Sequence, residues 1–197
     1  EIKYDPAGAY NRLGLAGCMP LYHIAAAAAA EGKTLDEVAD IAQRYADNMA
    51  SITVKSTDAT HPQNGMSFGD LGETDLMEIG AGQHGEGGGV RVPMASSKET
   101  IGMVAPKLVE SLGLEKGDKA FVMINGCGAT TMMEMLILYK DAVEYLEGLG
   151  IEVVANMVGE ILTVQEAGGF QINFAKWDDE FARLWNTPAH TPVFFKE

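Results

Sequence analysis

A glycine-rich segment constrains this chain more than any other part of its sequence. Six of the ten residues from Gly80 to Gly89 are glycine, and His84 lies in the middle of them. Glycine allows backbone conformations with positive φ and lets another group approach the chain closely. The segment is therefore predicted to be a loop, entered from a short strand, that exposes His84 to whatever lies against it.

The imidazole of His84 is a candidate nucleophile. A neutral imidazole is nucleophilic, and its ordinary pKa of about 6.5 leaves it mostly neutral at cytoplasmic pH. A surface loop that happens to contain a histidine would have the same composition, so the residues alone leave both interpretations open. The stretch also matches the G-x-G-x-x-G pattern of dinucleotide-binding loops. We discount that match because three glycines, residues 87–89, follow where a helix should begin.

Composition indicates an ordinary folded protein. The 197 residues are 47% hydrophobic and 21% charged, which is enough to bury a core. The net charge of −14 would repel phosphate backbones and anionic lipid, so neither nucleic acid nor a membrane is an expected partner. Cys18 and Cys127 are too isolated to predict a disulfide framework or a metal cluster. Both thiols are expected to be reduced in a cytoplasmic protein.

Helices and strands are predicted to alternate along the chain. The continuous apolar run 120–124 is typical of a strand covered on both sides. Residues 170–176 instead alternate apolar and polar side chains, which predicts a half-buried strand. Thr34 and Glu37 form a capping-box pattern, and Gly113 follows the end of another helix. The predicted helices cover residues 15–31, 35–46, 97–112, 131–149 and 179–185, and the predicted strands cover residues 51–55, 76–79, 120–124, 151–157 and 170–176.

This order of elements predicts the fold class. We expect a two-layer α/β fold with a mixed β-sheet of about five or six strands and helices mainly on one face. Residues 1–197 are expected to form a single domain, since the sequence has no repeat, linker or internal boundary. Residues 56–72 are predicted to form a long loop, a kind of segment that is usually functional or covered by a partner.

A second glycine motif, residues 125–131, lies between a predicted strand and a predicted helix. Free N–H groups at a helix N-terminus can hold an anion. The motif lacks the lysine of a Walker A loop, so ATP binding by this chain is not predicted. A tight turn with a threonine cap is the favoured interpretation.

Several segments together resemble one protein family. Residues 78–86 are similar to the E-x-G-x-G-x-H-G-E loop in the substrate-binding subunit of dihydroxyacetone kinases. Four further segments follow in the family's order, namely residues 15–17, 125–130, 156–160 and 189–192. The resemblance runs from about Asp5 to Phe194 and concerns the second of the family's two domains, the one that bears the histidine.

The resemblance implies a role for His84. In that family the loop histidine adds to the carbonyl of a short hydroxyketone and forms a covalent hemiaminal, which selects ketones over polyols such as glycerol. We therefore expect His84 to be the catalytic residue, with Gly82 and Gly85 giving the substrate room beside it. The expected substrate is dihydroxyacetone or a similar short ketose such as erythrulose. Its terminal hydroxyl would be held for phosphoryl transfer.

The resemblance also implies that this chain needs partners. The family's acid–base aspartate lies in the first domain, and the donor, ATP or a phosphotransferase phosphoprotein, acts through a nucleotide-carrying subunit. We expect this chain to bind no cofactor or metal, to be inactive alone, and to form a homodimer or hetero-oligomer. The expected partners are a first-domain chain and the nucleotide-carrying kinase subunit. Two other classes stay open: a non-catalytic, ketone-sensing coactivator, and a fatty-acid-binding protein whose lipid pocket would not need His84.

Overall fold

The computed structural model describes residues 16–72, 74–82, 89–192 and 194–197. The helices among them are α1 Cys18–Ala30, α2 Leu35–Asp47, α3 Ser97–Leu112, α4 Met132–Gly148 and α5 Asp179–Trp185. The strands are β1 Met49–Lys55, β2 Ala59–Thr60, β3 Ser67–Phe68, β4 Leu76–Ile79, β5 Val90–Pro93, β6 Lys119–Gly126, β7 Glu152–Gly159, β8 Gly169–Lys176, β9 Ala189–His190 and β10 Phe195–Lys196. In the part of the chain that these ranges cover, no helix is long and apolar enough to cross a membrane.

One mixed sheet organises the molecule. Its six strands lie in the order β5–β4–β1–β8–β6–β7. Strands β6 and β7 are parallel and are joined by α4, whereas the other neighbouring strands pair antiparallel. The predicted α/β fold with a mixed sheet of five or six strands is confirmed.

The helices pack on both faces of this sheet. Helices α3 and α4 share a core with Val122, Ile124 and Phe174. Helices α1, α2 and α5 share a second core with Phe121 and Met123 on the opposite face. The arrangement therefore differs from the expected two layers with helices mainly on one face. Alternate side chains of a strand point to opposite faces, and because residues 120–124 are all apolar, both faces of β6 need cover.

Strand β8 lies at the centre of the sheet and is buried on both sides, not half-buried as its alternating pattern predicts. Gln171 is 0% exposed and Asn173 is 1% exposed. The Gln171 side chain accepts a hydrogen bond from the Ala16 N–H and donates one to Thr53 Oγ1, at 2.7 and 3.1 Å. Asn173 Nδ2 donates to the Ala50 carbonyl at 3.2 Å. Hydrogen bonds to other elements thus take the place of water for these two side chains, except at Asn173 Oδ1, which has no hydrogen-bond partner among the described residues.

Local signals place the helix ends correctly. Thr34 and Glu37 form the predicted capping box, and Gly113 ends α3 with a left-handed φ of 56°. Asp178 caps α5 by accepting a hydrogen bond from the Phe181 N–H at 2.7 Å. The predicted long loop, residues 56–72, instead contains a short antiparallel hairpin of β2 and β3.

Candidate functional site

The glycine-rich segment connects two paired strands. Its described ends follow β4 and precede β5, where Ile79 and Val90 are register partners. His84 and Gly85, two of the three predicted site residues, lie outside the described residues. Gly82, the third, is described and buried. The structure therefore shows how the two stems of the segment are held, and the predicted roles of the three residues stay predictions.

Each stem is fixed by a hydrogen bond. On the first stem, the Gly80 N–H donates to the Thr53 carbonyl of β1 at 2.7 Å. Gly80 has a φ of 90°, a left-handed conformation that glycine adopts without strain. On the second stem, the Gly89 N–H donates to Oε1 of Glu78 at 2.8 Å. Both ends of the segment are thus hydrogen-bonded to inner strands of the sheet, the first to β1 and the second to β4.

Three charged side chains form a row across the strands beside these stems. Lys55 of β1 and Arg91 of β5 are the register partners of Glu78 on β4. Oε2 of Glu78 lies 3.9 Å from Lys55 Nζ and 3.8 Å from Arg91 Nε. Glu78 is only 1% exposed, and a buried carboxylate is tolerated when cations and hydrogen-bond donors surround it.

Asp58 extends this row of charges. Its Oδ1 lies 2.9 Å from Lys55 Nζ, and its Oδ2 accepts a hydrogen bond from the Gly72 N–H at 3.0 Å. Burial by itself would raise the pKa of Asp58, but the Gly72 N–H and the Lys55 ammonium outweigh it and lower the pKa. Asp58 is therefore ionised at neutral pH and links the β2–β3 hairpin to β1.

The second glycine motif is a tight turn, as predicted. The N–H groups of Cys127 and Ala129 donate to the carbonyls of Gly169 and Ala167 at 3.0 and 3.1 Å. Thr131 caps α4 in a capping box with Glu134. Because these backbone donors are already bonded, the turn does not present them to a phosphate.

Cys127 in this turn is an unreactive thiol. Burial, and then the negative charge of Glu160, raise its pKa to about 12. The thiolate is the reactive form of cysteine, so Cys127 stays in its unreactive thiol form at neutral pH. Asn125 supports the same region: its Oδ1 accepts hydrogen bonds from the N–H groups of Ile161 and Leu162, both at 2.8 Å.

A cavity of about 260 Å³ lies on the other face of the sheet, between the first turns of α3 and α4. Its lining is mainly apolar and includes Met77, Met94, Ile137 and Phe170. Met77 and Glu78 are adjacent on β4 and so point to opposite faces. The cavity and the charged row are therefore separated by the sheet.

The described histidines outside the glycine-rich segment pack against aromatic rings. His23 Nε2 lies 3.0 Å from the Trp185 carbonyl oxygen, and the two rings meet edge to face. His61 and His190 pack edge-on against Phe68 and Phe195. Among the described residues, no group of three histidine, cysteine, aspartate or glutamate side chains is placed to hold a metal ion.

Comparison with known families decides what this fold is. The sequence model of the Dak1 domain family matches residues 2–193 of this chain. The chain belongs to the Dak1 domain family. This assignment confirms the resemblance to the substrate-binding subunits of dihydroxyacetone kinases.

Named relatives agree with the assignment. The Dak1 domain is 31% identical over 191 residues to the dihydroxyacetone-binding subunit of PTS-dependent dihydroxyacetone kinase 2 from Listeria innocua. The match covers 97% of this chain and 57% of that subunit. An L-erythrulose kinase from Pectobacterium atrosepticum is 29% identical over 201 residues, covering 100% of this chain and 34% of the relative. The chain thus spans little more than half, or less, of these relatives.

Solved structures share the Dak1 fold. The dihydroxyacetone kinase operon co-activator Dha-DhaQ superposes with a TM-score of 0.85 at 24% identity, over 92% of this chain and 56% of that one. The native dihydroxyacetone kinase of C. freundii gives 0.82 at 22% identity, over 98% and 35%. The fatty-acid-binding protein TM841 from Thermotoga maritima gives only 0.51 at 16% identity, over 82% and 55%. At these identities the likeness concerns the fold alone.

Sequence reasoning missed the charged row beside the Dak1 glycine-rich segment. Glu78 begins the motif that carries the resemblance, and Lys55 ends a correctly predicted strand, yet neither was assigned a role. The available signal was a charged residue within each of two predicted strands, Lys55 and Glu78. Pairing them with each other requires the strand order.

Proposed function

We propose that this chain is the substrate-anchoring part of a hydroxyketone kinase, in which His84 binds the ketone covalently. Membership of the Dak1 family supports the substrate class, since relatives are named for dihydroxyacetone or erythrulose. The observation that carries the proposal is the connection between β4 and β5. Its two stems are hydrogen-bonded to β1 and β4 of the sheet, and the sequence between them contains one histidine.

The proposed step is a reversible addition. The lone pair of a neutral imidazole nitrogen forms a bond to the carbonyl carbon, and the electrons of the C=O π bond move to oxygen. That oxygen takes up a proton, and the imidazole loses the proton on its other nitrogen. The product is a hemiaminal, and no oxidant, reductant or metal is required.

Covalent anchoring suits a substrate of three or four carbons. Such a molecule offers few groups for non-covalent contacts, and a polyol without a carbonyl cannot react. Holding the ketone in one place converts phosphoryl transfer into a positioned reaction, which is where most of its rate enhancement arises. Gly82 and Gly85, without side chains, leave space beside the imidazole.

The rest of the reaction is assigned to partners. We infer that this chain, residues 1–197, corresponds to the histidine-bearing second domain, because residues 78–86 resemble the loop of that domain and the chain spans only 57% of the Listeria relative. A first-domain chain would supply the acid–base group. A nucleotide-carrying subunit would supply the phosphoryl group from ATP or a phosphoprotein, so this chain itself needs no cofactor. A homodimer or hetero-oligomer in the cytoplasm fits this division of labour.

The covalent step is tested by ¹³C NMR with dihydroxyacetone labelled at its carbonyl carbon. With the first-domain chain present, the labelled carbon should move from the ketone region of the spectrum to the tetrahedral region. His84→Ala should abolish this signal, whereas His190→Ala, an exposed histidine, should retain it. An adduct that persists in His84→Ala removes His84 from the mechanism. The adduct should also weaken below about pH 6.5, where protonation removes the imidazole lone pair.

Reconstitution distinguishes a kinase component from a ketone-sensing coactivator. The purified chain with ATP and dihydroxyacetone should show no phosphorylation. Activity should appear when the first-domain chain and the nucleotide-carrying subunit are both added. Phosphorylation by the chain alone contradicts the proposal, and ketone binding without activity in the full mixture favours the coactivator.

A further inference from the structure

Glu78 holds the second stem of the glycine-rich segment directly against the strand that begins it. The Gly89 N–H donates to Glu78 Oε1 at 2.8 Å. A Cβ atom at residue 89 would clash with the carbonyl oxygen of Ile79 and would lie 2.9 Å from Cγ of Glu78. The backbone of Gly89 is thus in close contact with β4, and glycine is required there for steric reasons.

The Glu78 side chain is itself held in place by charge. Its Oε2 lies between Lys55 Nζ and Arg91 Nε, at 3.9 and 3.8 Å. These cations stand on the two neighbouring strands, in register with Glu78. With Oε2 facing the cations, Oε1 faces the Gly89 N–H. In this orientation Oε1 accepts the Gly89 hydrogen bond, whereas Oε2 makes only long ion-pair contacts and no hydrogen bond among the described residues.

The two cations have further acidic neighbours. Lys55 Nζ lies 2.9 Å from Asp58 Oδ1, and an Arg91 nitrogen lies 2.7 Å from Asp70 Oδ1. The row thus extends from the β2–β3 hairpin to β5 and contains both signs of charge. A displaced Glu78 carboxylate would leave Lys55, which is 3% exposed, with less compensation for its burial. This cost opposes movement of the carboxylate.

We propose that Glu78 is the positioning residue of the histidine loop, a role that rests on the proposed function of His84. Ordering a segment with six glycines among ten residues costs more conformational entropy than ordering other sequences. Hydrogen bonds at Gly80 and Gly89 fix the two described stems between which the sequence carries His84. A reacting group displaced by about 1 Å can lose about a hundredfold in rate. The carboxylate of Glu78 acts through the loop backbone, without contacting the ketone.

Two substitutions separate the parts of this role. Glu78→Gln keeps a side-chain oxygen for the Gly89 N–H and removes the charge. Glu78→Ala removes both the acceptor and the charge. Glu99→Ala is the matched control, because Glu99 also accepts a backbone hydrogen bond, from the Ser96 N–H at the start of α3.

The first measurement is amide hydrogen exchange at Gly89 in the protein without ketone. Glu78→Ala should accelerate exchange about tenfold or more, the loss of one hydrogen bond, while the amides of β8 stay protected. Glu78→Gln should accelerate exchange less than Glu78→Ala, because an oxygen remains for the Gly89 N–H although the charge that orients it is lost, and Glu99→Ala should leave Gly89 unchanged. Unchanged Gly89 exchange in Glu78→Ala overturns the proposal, whether or not any ketone binds.

The second measurement is the affinity for labelled dihydroxyacetone with the first-domain chain present. Glu78→Ala should weaken adduct formation about tenfold, and Glu78→Gln should weaken it less. Equal adduct affinity in Glu78→Ala and the wild type overturns the positioning role. A wild type that forms no adduct refutes the proposed function instead. The exchange data then still test the hydrogen bond between Gly89 and Glu78.

A measurement on the unmodified chain covers the case in which Glu78→Ala does not fold. The hydrogen bond predicts a scalar coupling across it, between the Gly89 amide nitrogen and the Glu78 carboxyl carbon. Detection of this coupling supports the tether. Its absence under conditions where couplings within β8 are seen overturns it.

Discussion

The backbone N–H of Ala16 donates a hydrogen bond of 2.7 Å to Oε1 of Gln171, a residue 155 positions away in sequence. Gln171 lies on the central strand β8 and is 0% exposed. The bond ties the chain just before α1 to the middle of the sheet. It also explains why a polar side chain is tolerated there, since a buried amide with partners costs little.

Replacing Gln171 should therefore destabilise the protein although the side chain touches no proposed substrate. Gln171→Met keeps the length of the side chain but leaves the buried Ala16 N–H without its acceptor. We expect a loss of about 1–3 kcal/mol in the free energy of unfolding, measured by urea titration. Gln43→Met, on the exposed surface of α2, is the control and should change stability far less. Equal effects of the two substitutions would mean that the Ala16 bond contributes nothing.

Two glycine-to-alanine substitutions should change the free energy of unfolding in opposite directions. Gly128 has a φ of 132°, and a Cβ there would clash with the carbonyl oxygen of Gln165. Gly128→Ala should destabilise the fold by about 2 kcal/mol or more. Gly102, inside α3, has no atom within 4 Å of its would-be Cβ. Gly102→Ala should stabilise by about 0.5–1 kcal/mol because alanine is the better helix former.

Thermal unfolding of the two alanine variants gives the comparison directly. The melting temperature should fall for Gly128→Ala and rise for Gly102→Ala. A Gly128→Ala variant as stable as the wild type would show that the turn after β6 can open without cost.

His23 should make stability depend on pH. Burial, together with the positive charge of Lys196, lowers the pKa of His23 below that of a free imidazole, although its bond to the Trp185 carbonyl opposes this. The unfolded chain therefore takes up a proton more readily than the folded one. The stability contributed by neutral His23 is complete above about pH 6.5 and is lost as the pH falls through the lower, folded pKa.

This linkage is measured by urea unfolding at about pH 7.5 and about pH 5. The wild type should lose stability on acidification, and His23→Gln should lose less. His190→Gln, which alters an exposed ring, should behave as the wild type does. An NMR titration that places the His23 midpoint above about 6.5 would reverse the expected sign.

Local signals in the sequence were sufficient for the capped helix ends. Thr34 with Glu37, and Asp178 with Phe181, form hydrogen bonds that span only three residues. Gly113 ends α3 by its own backbone conformation. Such features depend on neighbours in sequence and hardly on the rest of the fold. The motif of residues 78–86 likewise indicated the family, because its residue types and spacing are visible without coordinates.

The alternation of apolar and polar residues along a single strand predicted burial less well. The pattern of residues 170–176 predicted a half-buried strand, because polar residues at every second position usually face water. Gln171 and Asn173 are buried because α1 and the chain before it cover that face. The apolar run 120–124 did contain the signal that both faces of the sheet are covered, and the helices on both faces agree with it.

The sequence by itself determined the five helices, five of the six strands of the main sheet and the family to which the chain belongs, whereas β5 and the two short hairpins appeared only in the structure. Only the tertiary structure decided which charges meet. Lys55, Glu78 and Arg91 lie on three strands that become neighbours through the order β5–β4–β1, and their contacts depend on a register fixed by the whole sheet. A shift of one residue in any of these strands would turn its charged side chain to the opposite face. The tether at Gly89 therefore follows from the packing of the entire sheet.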